Sequence, residues 1–168
     1  MLKELWVGQA RKKVPIYRQF EAEARADGAR FIEAEHVLLA LAASDTDAGK
    51  VLVDAALDRD RLAAALREER RQSLAFAGIG TSVQMLAAAT ESDRPVTMGT
   101  TAKAALARAF HASHRERSRR ERLDSLDFLV GILSAELGTV PRALALAGID
   151  RTGLIAHARA FKKMSQPC

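Results

Sequence analysis

The chain has 168 residues, enough for one domain with a real core, and Ala and Leu outnumber β-branched and aromatic residues, which favours helix over strand. No run of about 18 apolar residues is present, and the opening MLKELWVGQARKK lacks the unbroken apolar stretch of a signal peptide, so the expectation is a soluble, cytoplasmic protein. The net charge of +5 is spread over 26 basic and 21 acidic residues, and the single cysteine, Cys168, excludes an intrachain disulfide and argues against a thiolate metal site.

In chain order, a turn over Leu2 to Lys13 precedes a helix expected from near Pro15 to near Gly28, with Val14, Tyr17, Phe20 and Ala24 on its apolar side. A second helix is expected over about Ala34 to Ala43, with Val37, Leu38 and Leu41 on one face. Ser44, Asp45 and Thr46 break it, and Asp45 or Thr46 caps a short helix through Ala56. Asp58 caps a longer helix carrying Leu62, Leu66 and Leu74. Ala77 to Thr97 connects to a helix over Thr101 to His114, with Ala105, Leu106, Ala109 and Phe110 inward; its middle, Val83 to Ala89, is too apolar for a free linker and is expected to pack. Ser125 is the expected cap of a helix over Leu126 to Ala135. Gly138, Thr139 and Pro141 open a short helix ending at Gly148, and Asp150 caps a last helix to about Met164.

These elements repeat. The segment that begins at residue 31 returns from residue 122: Ile32 falls on Leu123, Leu38 on Leu129, Leu41 on Ile132, Leu57 on Ile149, Asp58 on Asp150 and Leu62 on Leu154, with an offset of 91 that becomes 92 after one inserted residue. A repeat of this kind is one supersecondary unit duplicated, each copy burying its apolar face against the other. The expectation is therefore an all-α fold of about eight helices in two pseudo-symmetric four-helix repeats, forming one domain over residues 1–168. Repeat one covers 1–75, the connection 76–97, repeat two 98–164 and a tail 165–168.

Catalytic chemistry finds no support. Glu35 and His36 are adjacent, so on a helix they diverge by about 100°, and no HExxH spacing follows. His111 and His114 stand one turn apart without a third ligand nearby. There is no GxSxG elbow and no GxxxxGK[ST] phosphate loop, so the chain is read as a non-enzyme with no metal and no cofactor. A rival reading as a basic helical nucleic-acid-binding protein rests on the net charge and on RERSRRER at 115–122; the two glutamates in that run and the lack of interleaved aromatics make nucleic acid the weaker partner.

The residues EAEAR at 21–25, FIEAEHVLLAL at 31–41 and the helix from Asp58 to Leu66, present in two copies in the same order, resemble the Clp N-terminal repeat domain of the ClpA, ClpB and ClpC unfoldases, ClpC most of all. MLKELWVGQARKKV resembles the ClpC opening helix, and MGTTAKAAL the start of the family's second repeat, so the likeness covers about residues 1–164, without the ATPase modules. The resemblance implies a free-standing recognition domain that binds Clp unfoldase or protease components, their adaptors or substrates, and acts as an adaptor, decoy or regulator. It further implies phosphoarginine-bearing proteins or cyclic peptide antibiotics as ligands, with Glu35 of the Glu-His pair contacting a guanidinium, and Leu2, Leu5 and Met98, beside Lys103, forming an apolar patch. In the second copy SLD at 125–127 replaces the Glu-His pattern, Leu126 standing for the carboxylate and Asp127 for the histidine, so one such site per chain is expected.

Overall fold

The computed structural model describes residues 16–79, 96–116 and 123–165, with the side chains of 113–116 left aside. Among these residues the order is α1 (Tyr17–Ala26), β1 (Phe31–Ile32), α2 (Ala34–Ala42), α3 (Asp47–Asp54), α4 (Arg59–Phe76), β2 (Thr97–Met98), α5 (Thr100–Glu116), α6 (Ser125–Leu133), α7 (Thr139–Leu146) and α8 (Arg151–Ser165). The fold is all-α. Duplication is visible in the bounds themselves: α6 is α2 shifted by 91 residues and α7 is α3 shifted by 92, which places the inserted residue in the turn between α6 and α7.

Local chemistry sets most helix starts. Thr46 Oγ1 accepts from the Gly49 amide at 3.3 Å, Asp58 Oδ1 from the Arg61 amide at 2.8 Å, and Asp150 Oδ1 from the Thr152 and Gly153 amides at 3.0 Å each. One expectation is corrected. The cap of α6 is Asp124, whose Oδ1 accepts from the Asp127 amide at 2.9 Å; Ser125 is already helical, and its Oγ instead accepts from the Ala48 amide at 3.3 Å. The first described helix begins at Tyr17 after Ile16, and Pro15 lies outside the described residues. The short third helix stops at Asp54, and the chain then passes through Ala56 in the left-handed region at φ 56°.

Each copy packs α1 on α2, α2 on α3 and α2 on α4, matched by α5 on α6, α6 on α7 and α6 on α8; α4 on α7, α3 on α8 and α2 on α6 join the copies. One core results. Tyr17, Phe20, Ala24, Leu38, Leu41, Ala105, Leu106, Ala109, Leu129 and Ile132 all lie in it, as their helical spacing predicts, and Phe110 packs against it half-buried. Phe20 of α1 meets Phe128 of α6 edge-on, with ring centres 6.0 Å apart. At the α5–α6 crossing, a Cβ on Gly131 would sit 2.3 Å from the Ala105 carbonyl oxygen, so the helices approach backbone to backbone there.

A feature unforeseen from sequence is the parallel pairing of β1 with β2, Phe31 opposite Thr97 and Ile32 opposite Met98. It is extended by the Gly99 amide, which donates to the Ile32 carbonyl at 2.8 Å. The Thr101 amide donates to Glu33 Oε2 at 2.9 Å, while Thr101 Oγ1 accepts from the Ala34 amide at 2.9 Å. The start of repeat two is thereby fastened to the α2 N-terminus of repeat one. The connection expected over 76–97 is narrower than that, since α4 runs to Phe76 and the strand begins at Thr97; Val83 to Ala89 lie outside the described residues.

Candidate functional site

Glu35 stands in the first turn of α2, half-buried on the wall of a cleft of about 200 Å³ between α1, α2, α4 and the start of α7. Leu39, Ala63 and Leu66 supply apolar surface. The charged lining is ordered by two bidentate pairs. Arg59 donates from Nε and Nη2 to Glu23 at 2.8 Å each, and Arg70 donates from Nη1 and Nη2 to Asp27 at 3.0 and 2.8 Å. Each pairing raises the pKa of its arginine, through the hydrogen bonds to Glu23 and Asp27 respectively.

His36, next in the chain, lines the same cleft but is spent on the helix start. It is 2 % exposed, and its Nδ1 accepts from the Glu33 amide at 2.9 Å. That acceptor role puts the proton on Nε2, which faces Asp27 Oδ2 at 3.4 Å. The hydrogen bond from His36, and then those from Arg70, hold the Asp27 carboxyl far below the usual carboxylate range against the opposing effect of burial. Both nitrogens of His36 are thus engaged in fixing the helix start, and among the described residues no group of three His, Cys, Asp or Glu side chains is placed to hold a metal. Glu35 differs from its neighbours in accepting no hydrogen bond from any described residue; its charge is felt by Arg70. Arg67 lies on the cleft rim, exposed.

The equivalent place in repeat two is filled from within. Leu126 is 2 % exposed and belongs to the core. Asp127, in the position of His36, accepts from the Asp124 amide at 3.0 Å and also from Lys162 Nζ, which reaches Asp124 Oδ2 at 3.1 Å as well. Lys162 is the residue 92 places after Arg70, so both copies bring a cation from the last helix to the helix start, directly in one and through Asp27 in the other. Sequence reading passed over Asp27, Arg59, Arg70 and Lys162. The recurring cation at Arg70 and Lys162 was the available signal.

The other candidate residues separate. Met98 is 5 % exposed and is part of the shared core, where its strand pairing with Ile32 turns it inward. The expectation of Met98 on an open apolar patch is corrected accordingly. Lys103 is exposed in the first turn of α5, and Leu2 and Leu5 lie outside the described residues. Of the histidine pair, His111 is exposed on α5, and the His114 side chain, like 117–122 of the arginine-rich run, is outside what is described. Among the described residues no helix is long and apolar enough to cross a membrane.

No protein-family model matches the sequence, and no curated protein does. A structure solved in preliminary structural investigations of a malarial protein secretion system is similar in fold, with a TM-score of 0.59 and 20 % identity over 90 % of this chain and 93 % of that one.

Proposed function

We propose that this chain is a non-catalytic recognition domain related to the N-domain of the Clp unfoldases, acting as an adaptor, decoy or regulator of substrate recognition by a Clp protease. The observation that carries this reading is Glu35: a half-buried carboxylate beside an apolar surface, without a hydrogen bond from any described residue, next to Arg59 and Arg70, which are already committed to other carboxylates, with Arg67 exposed at the rim. A guanidinium entering from a ligand finds there a bidentate acceptor, the geometry in which charge-assisted hydrogen bonds are strong. Phosphoarginine-bearing segments offer that group. Burial of Leu126 at the equivalent point of repeat two leaves a single site of this kind.

The test is calorimetric titration of a phosphoarginine peptide into the protein and into Glu35→Gln. One site per chain, weakened about tenfold or more by the substitution, supports the reading. Two equivalent sites, or binding indifferent to Glu35, would overturn it. Capture of Clp components by the immobilised protein, lost in the same variant, tests the partner.

A further inference from the structure

The duplication extends to the helices that wall the Glu35 cleft, and there the second copy carries a different charge. Buried Tyr17, Phe20 and Ala24 of α1 recur with the same spacing as buried Ala102, Ala105 and Ala109 of α5, an offset of 85, and α8 follows the start of α4 by 92. On this register Glu23 falls on Arg108, and its bidentate partner Arg59 falls on Arg151. Asp60, the second acid beside Arg59, falls on Thr152. A carboxylate and an arginine that meet in repeat one are therefore two arginines in repeat two.

Neither of these arginines holds a carboxylate among the described residues. Arg108 is half-buried, its Nε donates to the Gly131 carbonyl at 2.8 Å, and burial pushes its pKa down. Arg151 is half-buried too, makes no hydrogen bond or ion pair with a described residue, and has its Nη1 buried without a partner. A buried donor left unsatisfied is costly, so a group that accepts from it is gained at this point. The neighbouring acids are occupied. Asp150, which precedes Arg151, accepts from the Thr152 and Gly153 amides of its own helix. Asp127 and Asp47, the counterparts of the cleft residues His36 and Thr139, hold Lys162 and Lys50. Arg159, the counterpart of Arg67, is exposed and adds a further cation two turns along α8.

We propose that Arg108 and Arg151 form an oxyanion site on repeat two that takes a phosphoryl group. The choice of ligand follows from charge and size. A phosphoryl group carries about −1.5 to −2 at pH 7, enough for two guanidiniums, whereas a carboxylate neutralises one. Its oxygens can accept from arginine forks on two different helices. Leu126 and half-buried Ile155 stand where repeat one has Glu35 and Ala63, so the second copy offers less room and suits a small charged group. The two copies thus select opposite charges, a cation at Glu35 and an anion at Arg108 and Arg151.

The test uses the full chain, isotope-labelled for NMR, titrated at constant ionic strength with inorganic phosphate and with an amidated acetyl-Ala-phosphoserine-Ala peptide. Saturable shifts are expected at the Arg108 and Arg151 side-chain Nε–H groups. Arg108→Gln and Arg151→Gln should each weaken binding about tenfold, while Glu35→Gln leaves it unchanged because neither probe carries a guanidinium. Tighter binding of the peptide identifies a phosphorylated partner as the source, and tighter binding of inorganic phosphate a free anion. No saturable shift at about 10 mM of either probe, shifts spread over other arginines, or indifference to both variants would overturn the proposal. A second measurement tests the register itself. Arg108→Glu should abolish phosphate binding and pair with Arg151, so that adding Arg151→Gln lowers the urea midpoint of Arg108→Glu but not that of the parent. Absence of this coupling would show that the two side chains do not meet.

Discussion

Lys162→Met isolates the device that holds repeat two. The Lys162 side chain is 12 % exposed and that of Asp127 is 8 % exposed, so the pair is buried, while Asp124, the second acceptor, is 42 % exposed and can return to water. Methionine matches the length and apolar stem of lysine but leaves the Asp127 carboxylate without its cation. Breaking a buried ion pair on one side costs about 3–5 kcal/mol; with one of the two carboxylates at the surface, the lower end, about 3 kcal/mol, is expected. The uncompensated charge is the main cause, so it should be relieved by Asp127→Asn, whose side-chain oxygen still accepts from the Asp124 amide. The double variant Asp127→Asn/Lys162→Met is therefore expected to regain at least half of the loss, a coupling that a double-mutant cycle on urea unfolding midpoints at pH 7 measures directly. A Lys162→Met protein within about 0.5 kcal/mol of the parent, or a double variant less stable than Lys162→Met alone, would refute the reasoning.

Leu38→Ala and Leu129→Ala remove equivalent side chains, 1 % and 0 % exposed, and each should cost about 2–5 kcal/mol in urea unfolding; an unchanged transition in either would show that the two copies do not share one core. Met98→Asp places a carboxylate in that core beside β1 and should lower the thermal midpoint by several degrees or abolish folding; a fully stable variant would reopen Met98 as a surface residue. Asp27 has a folded-state pKa below its unfolded value, so its contribution is complete above the unfolded pKa near 4 and is lost as pH falls from there towards the folded value. The stability gap between the parent and Asp27→Asn should accordingly be constant from about pH 7 to 5 and shrink below about pH 4, which urea titrations across that range would reveal; a gap that widens on acidification contradicts the Asp27–His36–Arg70 arrangement.

Much of this molecule is written locally. The 3.6-residue spacing of Val37, Leu38 and Leu41, and of Leu129 and Ile132, marks the buried faces, and Thr46, Asp58 and Asp150 mark helix starts, because caps and amphipathic faces depend on residues within a turn or two of each other. The duplication shows which segments are equivalent and where a residue was inserted. Glu35 as a candidate ligand contact came from the resemblance to the Clp N-terminal repeat and from no local pattern; the duplication shows only that Leu126 takes its place in the second copy. The choice between Asp124 and Ser125 was not. Both are good caps, and which one serves depends on which residue takes the extended backbone as the chain enters α6.

The tertiary structure decided what rests on distant pairs. Asp27 and Arg70 are 43 residues apart, Asp127 and Lys162 are 35, and the β1–β2 pairing joins segments separated by the whole of α2 to α4; no local period relates such partners. Met98 reads as apolar either on an open patch or in a core, and only its strand pairing with Ile32 turned it inward. Hydrophobic periodicity specifies which face of a helix is buried, but the mutual placement of helices selects which charges meet and which are left without a partner.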